Sequence, residues 1–378
     1  MLAKRVAATS LAAAAFVLPA TAYAQSESEP APPAEPAAPP AVPPLSDAVP
    51  PTPPEPPPAP IQPCDAASGT TARTLGGHVF IFPAHNASSF VTTYVGLRLR
   101  LGSQTIEDAP TAAGKTSIDA FTFAQGLDFG VKVTDWLGIF VTGAVRSLIG
   151  TNLKALTYAG ATYDAGGEAG LIGRLYRNDQ TGTQLSIRGG GGYAAGQISA
   201  LYPIFDQPVA SAADLLNSDL GSAIKTPFKN VTYYGSFTFA QGISRFFGIQ
   251  AAATAGGANT TSEPYDRVTK VRGSESASSF VYSLGIAPSF DFDAFHVPIA
   301  VVPEYVLSRQ ASSAEIRGAG DFDTTHTIAA GAYYSGRENL QIGLTWATVL
   351  DINPLQLPLG PSGTTSRTNL ELILRYVW

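Results

Sequence analysis

The sequence predicts an all-β fold, a transmembrane antiparallel up-and-down β-barrel of about 12 strands. Three observations predict it. Segments of alternating apolar and polar residues follow one another from about residue 90 to the end of the chain. The connections between them alternate between short and long. Beyond the first 24 residues, no stretch offers the roughly 18 continuous apolar residues of a spanning helix. A closed barrel is the other structure that satisfies its own backbone in lipid.

The predicted strands run roughly 90–102, 117–133, 137–149, 159–176, 183–197, 230–242, 246–257, 278–292, 297–309, 323–335, 338–350 and 368–378. Each is long enough for a tilted membrane strand of about 9–11 residues. The short connections are "TDW" (Thr134 to Trp136), "RNDQTG" (Arg177 to Gly182), "ISR" (Ile243 to Arg245), "DAFH" (Asp293 to His296) and "GR" (Gly336, Arg337). Long polar connections are predicted around 103–116, 150–158, 198–229, 258–277, 310–322 and 351–367. Short turns on one side and long loops on the other form the hairpin signature of a membrane barrel. An even strand count brings both barrel ends to the short-turn side.

The faces of the strands agree with this. In the second strand Phe121, Phe123, Leu127, Phe129, Val131 and Val133 share one side, opposite Thr122, Ala124, Gly126, Asp128 and Lys132. In the eleventh, Leu340, Ile342, Leu344 and Trp346 oppose Gln341, Gly343 and Thr345. A period of two separates a lipid face from a lumen face. Trp136, Phe246, Phe247, Phe290, Phe292, Tyr333, Tyr334, Tyr376 and Trp378 gather beside the short turns, where an interfacial girdle is expected.

Ahead of the barrel the sequence divides into three parts. Residues 1–24 read as a signal peptide, with Lys4 and Arg5, an apolar run from Val6 to Leu18, and an Ala22-Tyr23-Ala24 cleavage site. Residues 25–64 form a Pro- and Ala-rich leader that lacks large apolar side chains and cannot build a core. In polyproline II form it would reach on the order of 100 Å, at about 3.1 Å per residue. The leader is either a passive spacer or an arm that docks a periplasmic or cell-wall partner. Residues 65–88 carry the apolar run Val79-Phe80-Ile81-Phe82 and are read as a pre-barrel segment that could plug the lumen; the barrel is assigned to 89–378.

Composition narrows the function. The net charge is −6 with 14% charged residues, and no basic patch points to nucleic acid. The single cysteine, Cys64, allows no disulfide within a chain, and four histidines are a thin supply for a metal enzyme. No metal or other cofactor is expected.

The candidate functional residues are the charges that alternation turns inward: Arg98, Arg100, Asp128, Lys132, Arg146, Asp164, Glu168, Arg174, Arg188, Glu304, Glu371 and Arg375. Buried charges must pair or be wetted. Two readings stay open: a hydrated pore tuned by its charges, or a salt-bridged scaffold with a filled lumen. Enzyme signatures are weak. His326 is followed by Thr327 and Ile328, not by a serine two residues away, and Asp321 and Asp323 beside it make one incomplete cluster. "RGGGGY" (Arg188 to Tyr193) lacks the lysine and helix of a phosphate loop. The chain is therefore not expected to be an enzyme.

The final residues, "LELILRYVW", place Leu370, Leu372, Leu374, Tyr376 and Trp378 on one face. This ending resembles the C-terminal signal of Gram-negative outer-membrane barrels, with Trp378 where a phenylalanine is usual. The resemblance implies an outer-membrane location, with outer-membrane lipid and the barrel-assembly machinery as partners. The expected function is a porin-like channel for small hydrophilic solutes or ions through a narrow, mixed-charge lumen. The alternatives are a structural barrel that anchors an envelope assembly through the leader or outer loops, and third an outer-membrane enzyme.

Overall fold

Twelve long strands alternate apolar and polar residues: β1 (Tyr94–Thr111), β2 (Gly114–Lys132), β3 (Leu137–Gly150), β4 (Ala161–Asn178), β5 (Thr183–Ser199), β6 (Lys225–Gly242), β7 (Phe247–Ser262), β8 (Glu275–Asp291), β9 (Ile299–Ser312), β10 (Asp323–Tyr334), β11 (Leu340–Asp351) and β12 (Thr365–Val377). Each pairs antiparallel with the next, and β12 returns to β1 in register from Val377↔Tyr94 to Thr365↔Ile106, closing the barrel. Closure leaves no open strand edge. This computed structural model describes residues 72–111, 114–158, 160–199, 225–263, 265–266, 271–312, 323–351, 356–357, 360–361 and 364–378. The signal peptide, the leader with Cys64, residues 65–71 and most of the 198–229 connection lie outside the described residues.

The outer wall is apolar. Phe121, Leu127, Phe129 and Val131 of β2, Ile342, Leu344 and Trp346 of β11, and Leu370, Leu372 and Leu374 of β12 all stand exposed on it. Their neighbours Asp128, Gln341, Thr345, Glu371 and Arg375 are buried inside. Such a wall is stable only against lipid or another apolar surface. No helix among the described residues is long and apolar enough to cross a membrane.

The connections correct the expected loop lengths on one side. Residues 103–111 and 114–116 are strand rather than loop; β1 and β2 run on to Thr111 and Gly114. Likewise β7 and β8 extend to Ser262 and Glu275. At about 3.4 Å per residue these 16–19-residue strands exceed what a bilayer needs. The polar composition that suggested loops belongs to strand extensions. The β3–β4 connection holds a short helix, α1 (Leu153–Tyr158), whose Ala155 N–H donates to Asn152 Oδ1 at 2.8 Å.

The aromatic girdle needs one correction. Trp136, Tyr334, Tyr376 and Trp378 are exposed near the short turns. Phe246, Phe247, Phe290 and Phe292 cluster there with Phe295, with centroids 5.0–5.7 Å apart. Tyr333, however, points inward, is buried, and hydrogen-bonds Thr345 Oγ1 at 2.8 Å. Adjacent residues of a strand face opposite sides, so Tyr333 and Tyr334 cannot both sit in the girdle.

Residues 72–93 lie within the barrel, ahead of β1. Leu75, Phe80 and Phe90 pack with Ala240 of β6; Ile81 and Ala84 pack with Ala287, Ala300, Val302, Tyr333 and Ile373 of the wall. Residues 89–93 thus belong to this inner segment, and the barrel proper begins at Tyr94.

Candidate functional site

The inner segment starts as a tight hairpin. Thr74↔Val79 and Leu75↔His78 pair across Gly76 and Gly77, which both have positive φ (56° and 80°). A two-residue turn of this kind requires left-handed backbone at both central positions, which glycine adopts without steric cost. The hairpin sits against the short-turn end of the barrel. Gly242 lets Leu75 approach: a Cβ there would fall 2.1 Å from the Leu75 carbonyl oxygen. His78 Nδ1 donates to the Arg245 carbonyl at 3.1 Å, and Arg73 donates to the Phe80 carbonyl at 2.8 Å and to that of Glu338.

Beyond Val79 the chain is irregular, so its backbone groups need partners from the wall. Inward side chains of alternate strands supply them. Gln184 and Ser186 of β5 donate to the Ser89 carbonyl, and Gln250 of β7 donates to that of Ile81 at 2.8 Å. Gln341 of β11 accepts from Phe82 N–H at 3.3 Å and donates to Phe82 carbonyl at 3.0 Å. Glu304 of β9 accepts from Ala84, His85 and Asn86 N–H at 2.7, 2.9 and 3.1 Å. Arg98 of β1 donates to the Ala84 carbonyl at 3.1 Å.

The deepest point is near Asn86, whose side chain lies against Gly285 of β8. That position is about 20 Å along β8 from Asp291, at about 3.4 Å per residue. The segment then returns: Lys132 N–H donates to Thr93 Oγ1, and Trp378 N–H donates to Thr93 carbonyl, both at 3.0 Å. It therefore enters and leaves at the short-turn end.

Ten of the twelve predicted inward charges fall into four groups. The first is a chain of alternating sign across β12, β2 and β1. Arg375 donates to Asp128 from Nε at 3.1 Å and also from Nη2, and Arg98 Nη2 reaches Asp128 at 3.4 Å. Arg98 Nη1 lies 3.9 Å from Glu371, which accepts from Arg100 at 2.7 and 3.2 Å. Phe82 of the inner segment stacks against two cations, with its centroid 4.6 Å from Arg375 and 5.4 Å from Arg73.

Arg188 and Glu168 form the second group. They are 3.3 Å apart, both hydrogen-bond Tyr234, and Arg188 stacks over Phe140 at 3.6 Å. The third is Arg146 with Asp164, 3.4 Å apart. Glu304, bonded to the inner segment, is the fourth.

Lys132 and Arg174 belong instead to the short-turn mouth. Lys132 pairs there with Asp135 at 2.8 Å. With Arg174, Arg177 and Asp179 they line an open cleft of about 400 Å³. His326 hydrogen-bonds Tyr305 OH at 2.7 Å, and Asp321 lies outside the described residues.

Sequence reasoning missed two things. It selected charges and passed over Gln184, Gln250 and Gln341, although all three occupy inward positions near strand starts. It also left Arg177 in a turn. A bulge between Arg174 and Tyr176 turns both Leu175 and Tyr176 outward. Arg177 is thereby re-aimed inward, where it donates to the Ala72 and Thr74 carbonyls at 3.0 Å.

His85 sits among these charges, 3.9 Å from Glu371. Burial, then the guanidiniums of Arg100 and Arg98, lower its pKa to about 4 against the opposing pull of Glu371. At neutral pH it is uncharged, so the contact with Glu371 is not an ion pair.

No protein-family model and no curated relative matches the sequence. Solved structures similar to this chain include the translocator domain of autotransporter NalP from Neisseria meningitidis, at 8% identity and TM-score 0.48, covering 78% of this chain and 90% of that one. The β domain of the Bordetella autotransporter Brka is similar at 10% identity and TM-score 0.46, covering 76% and 100%. An outer-membrane channel from Pseudomonas putida F1 is similar at 11% identity and TM-score 0.43, covering 79% and 100%.

Proposed function

We propose that this protein is an outer-membrane channel for small hydrophilic solutes or ions, held closed at its periplasmic end by residues 72–93. The observation that carries this is the bonding of the inner segment. Its irregular backbone is matched by Gln184, Gln250, Gln341 and Glu304, spread around the barrel on alternate strands. A segment held by hydrogen bonds to polar side chains can exchange those bonds for water, since each contributes only about 0.5–1.5 kcal/mol net. The return of the segment to the end at which it enters fits a local closure rather than a chain threaded across the membrane. The short turns then face the periplasm, and the long connections face outward. Passage is passive, without catalysis, cofactor or metal.

Planar-bilayer recording tests this. The full chain is expected to show low conductance with rare openings, and a variant lacking residues 74–90 a conductance several-fold higher. Equal conductance in both would overturn the closure. No current in either would favour the structural anchor over the channel.

A further inference from the structure

The charged groups of the lumen differ in which sign meets water. The carboxylates of Glu371 and Asp128 are almost wholly covered, with side chains 1% and 4% exposed. Their partners Arg100 and Arg98 are 32% and 30% exposed. In these two pairs the acids lie behind and the guanidiniums in front, whereas Arg146 and Asp164 are about equally covered, with side chains 18% and 16% exposed.

Strand register places a second arginine opposite this front. Arg100 of β1 is level with Ala124 of β2, and Ala124 is level with Arg146 of β3. The same row continues outward to Glu371 on one side and Asp164 on the other. Two arginines therefore flank an alanine, with their Cα atoms about 10 Å apart at ~4.8 Å per strand. The floor below is small as well. Gly126 pairs with Arg98 and with Ala144, and a Cβ at Gly126 would meet only the Gly143 carbonyl at 3.3 Å and Ala144 Cβ at 3.5 Å. The floor between the arginines is thus built of Ala124, Gly126 and Ala144, each only half-buried.

Neither arginine has all its donors engaged. Arg100 directs both Nε and Nη2 at one oxygen of Glu371. Arg146 meets Asp164 only through Nε at 3.4 Å, and its Nη2 is buried without a hydrogen-bond partner. A buried donor left unmade costs free energy. A planar guanidinium fork is suited to a carboxylate or phosphate edge.

We infer that the gap over Ala124 and Gly126, between Arg100, Arg98 and Arg146, is a binding site for a small oxyanion, a carboxylate or phosphate. Its role as a selectivity site, favouring anionic solutes over cations, rests on the channel reading; the binding itself does not.

Calorimetric titration of the full-length protein in detergent tests the site, with inorganic phosphate, succinate and chloride as probes. One oxyanion is expected to bind saturably at one site per chain, and chloride not to bind detectably. Arg146→Gln is expected to weaken binding at least tenfold. Ala124→Phe, which fills the gap without changing any charge, is expected to do the same. Arg309→Gln, distant from the gap near the outer end, is expected to leave affinity unchanged. Heat-modifiable gel migration checks that each variant is a folded barrel. Absence of oxyanion binding to the unaltered chain would overturn the site. So would equal affinity in the Ala124→Phe variant, or equal binding of chloride. Preference between phosphate and succinate identifies the oxyanion class. Failure of the channel reading would show separately, as absent current with binding intact.

Discussion

Among the described residues, Glu304 holds the longest run of the inner segment's backbone. Its two oxygens accept three consecutive backbone N–H groups of the inner segment. Each such bond contributes about 0.5–1.5 kcal/mol net, leaving the buried N–H groups unpaired costs more, and such terms do not simply add. Glu304→Ala is therefore expected to weaken docking of the segment by about 3 kcal/mol. Amide hydrogen exchange at Ala84, His85 and Asn86 should accelerate by about two orders of magnitude, with the strand amides of β9 unchanged. Uniform acceleration through the barrel would show that Glu304 instead supports the wall.

His85 gives the segment a pH dependence of defined sign. Its pKa falls to about 4 when docked, from 6.5. The released histidine therefore binds protons more readily. The contribution of His85 to docking is fully present above about pH 6.5 and is lost as pH falls towards 4, by on the order of 3 kcal/mol. Open probability should rise as pH drops from 7 to 4, and His85→Gln should flatten much of that rise. An identical profile in the variant would assign the response to other groups.

The charged inward residues were legible because a period of two gives each residue one face, and a charge on the polar face has few other places to go. The three glutamines have the same placement, but their function depends on where the backbone of another segment passes. Nothing local encodes that. Arg177 was hidden for a different reason: one inserted residue reverses the alternation that revealed its neighbours.

Among elements, β12 has the simplest pattern and the largest structural consequence. Its even positions face outward and its odd positions inward, and it pairs with both β11 and β1. Leu372 is near its middle, level with Leu99 and Leu344. An arginine at mid-bilayer on a lipid face costs about 2–4 kcal/mol, falling to about 0–1 near the interface. Leu372→Arg is expected to show the larger cost and Thr368→Arg the smaller, by reversible denaturant unfolding in lipid vesicles. Equal costs would mean that this wall does not face a bilayer.

All twelve strands were legible from alternation, but their outer ends were not. Residues 103–116 carry Ser, Gln, Thr, Glu and Asp, a composition shared by loops and by strands standing above the lipid in water. The period-two contrast fades there because both faces are wet. At the other end the inner segment offered the apolar run Val79 to Phe82, too short to show which surface it covers.

At the scale of the molecule, closure of the sheet solves the edge problem, and the inner segment fills the lumen near the short turns. Polar side chains of the wall replace the water that would otherwise satisfy the segment's backbone. Further from the short turns the lumen presents Arg98 and Arg100, with side chains about a third exposed.

A reversible lock tests the closure directly. An ideal Cβ at Gly285 lies 2.8 Å from Cγ of Asn86, close to the spacing a disulfide requires. Asn86→Cys with Gly285→Cys, in a chain also carrying Cys64→Ser, should cross-link under oxidation in the assembled barrel. The oxidised protein is expected to stay silent in a planar bilayer, with openings returning on reduction. Failure to cross-link, or equal current before and after reduction, would contradict a lumen closed by residues 72–93.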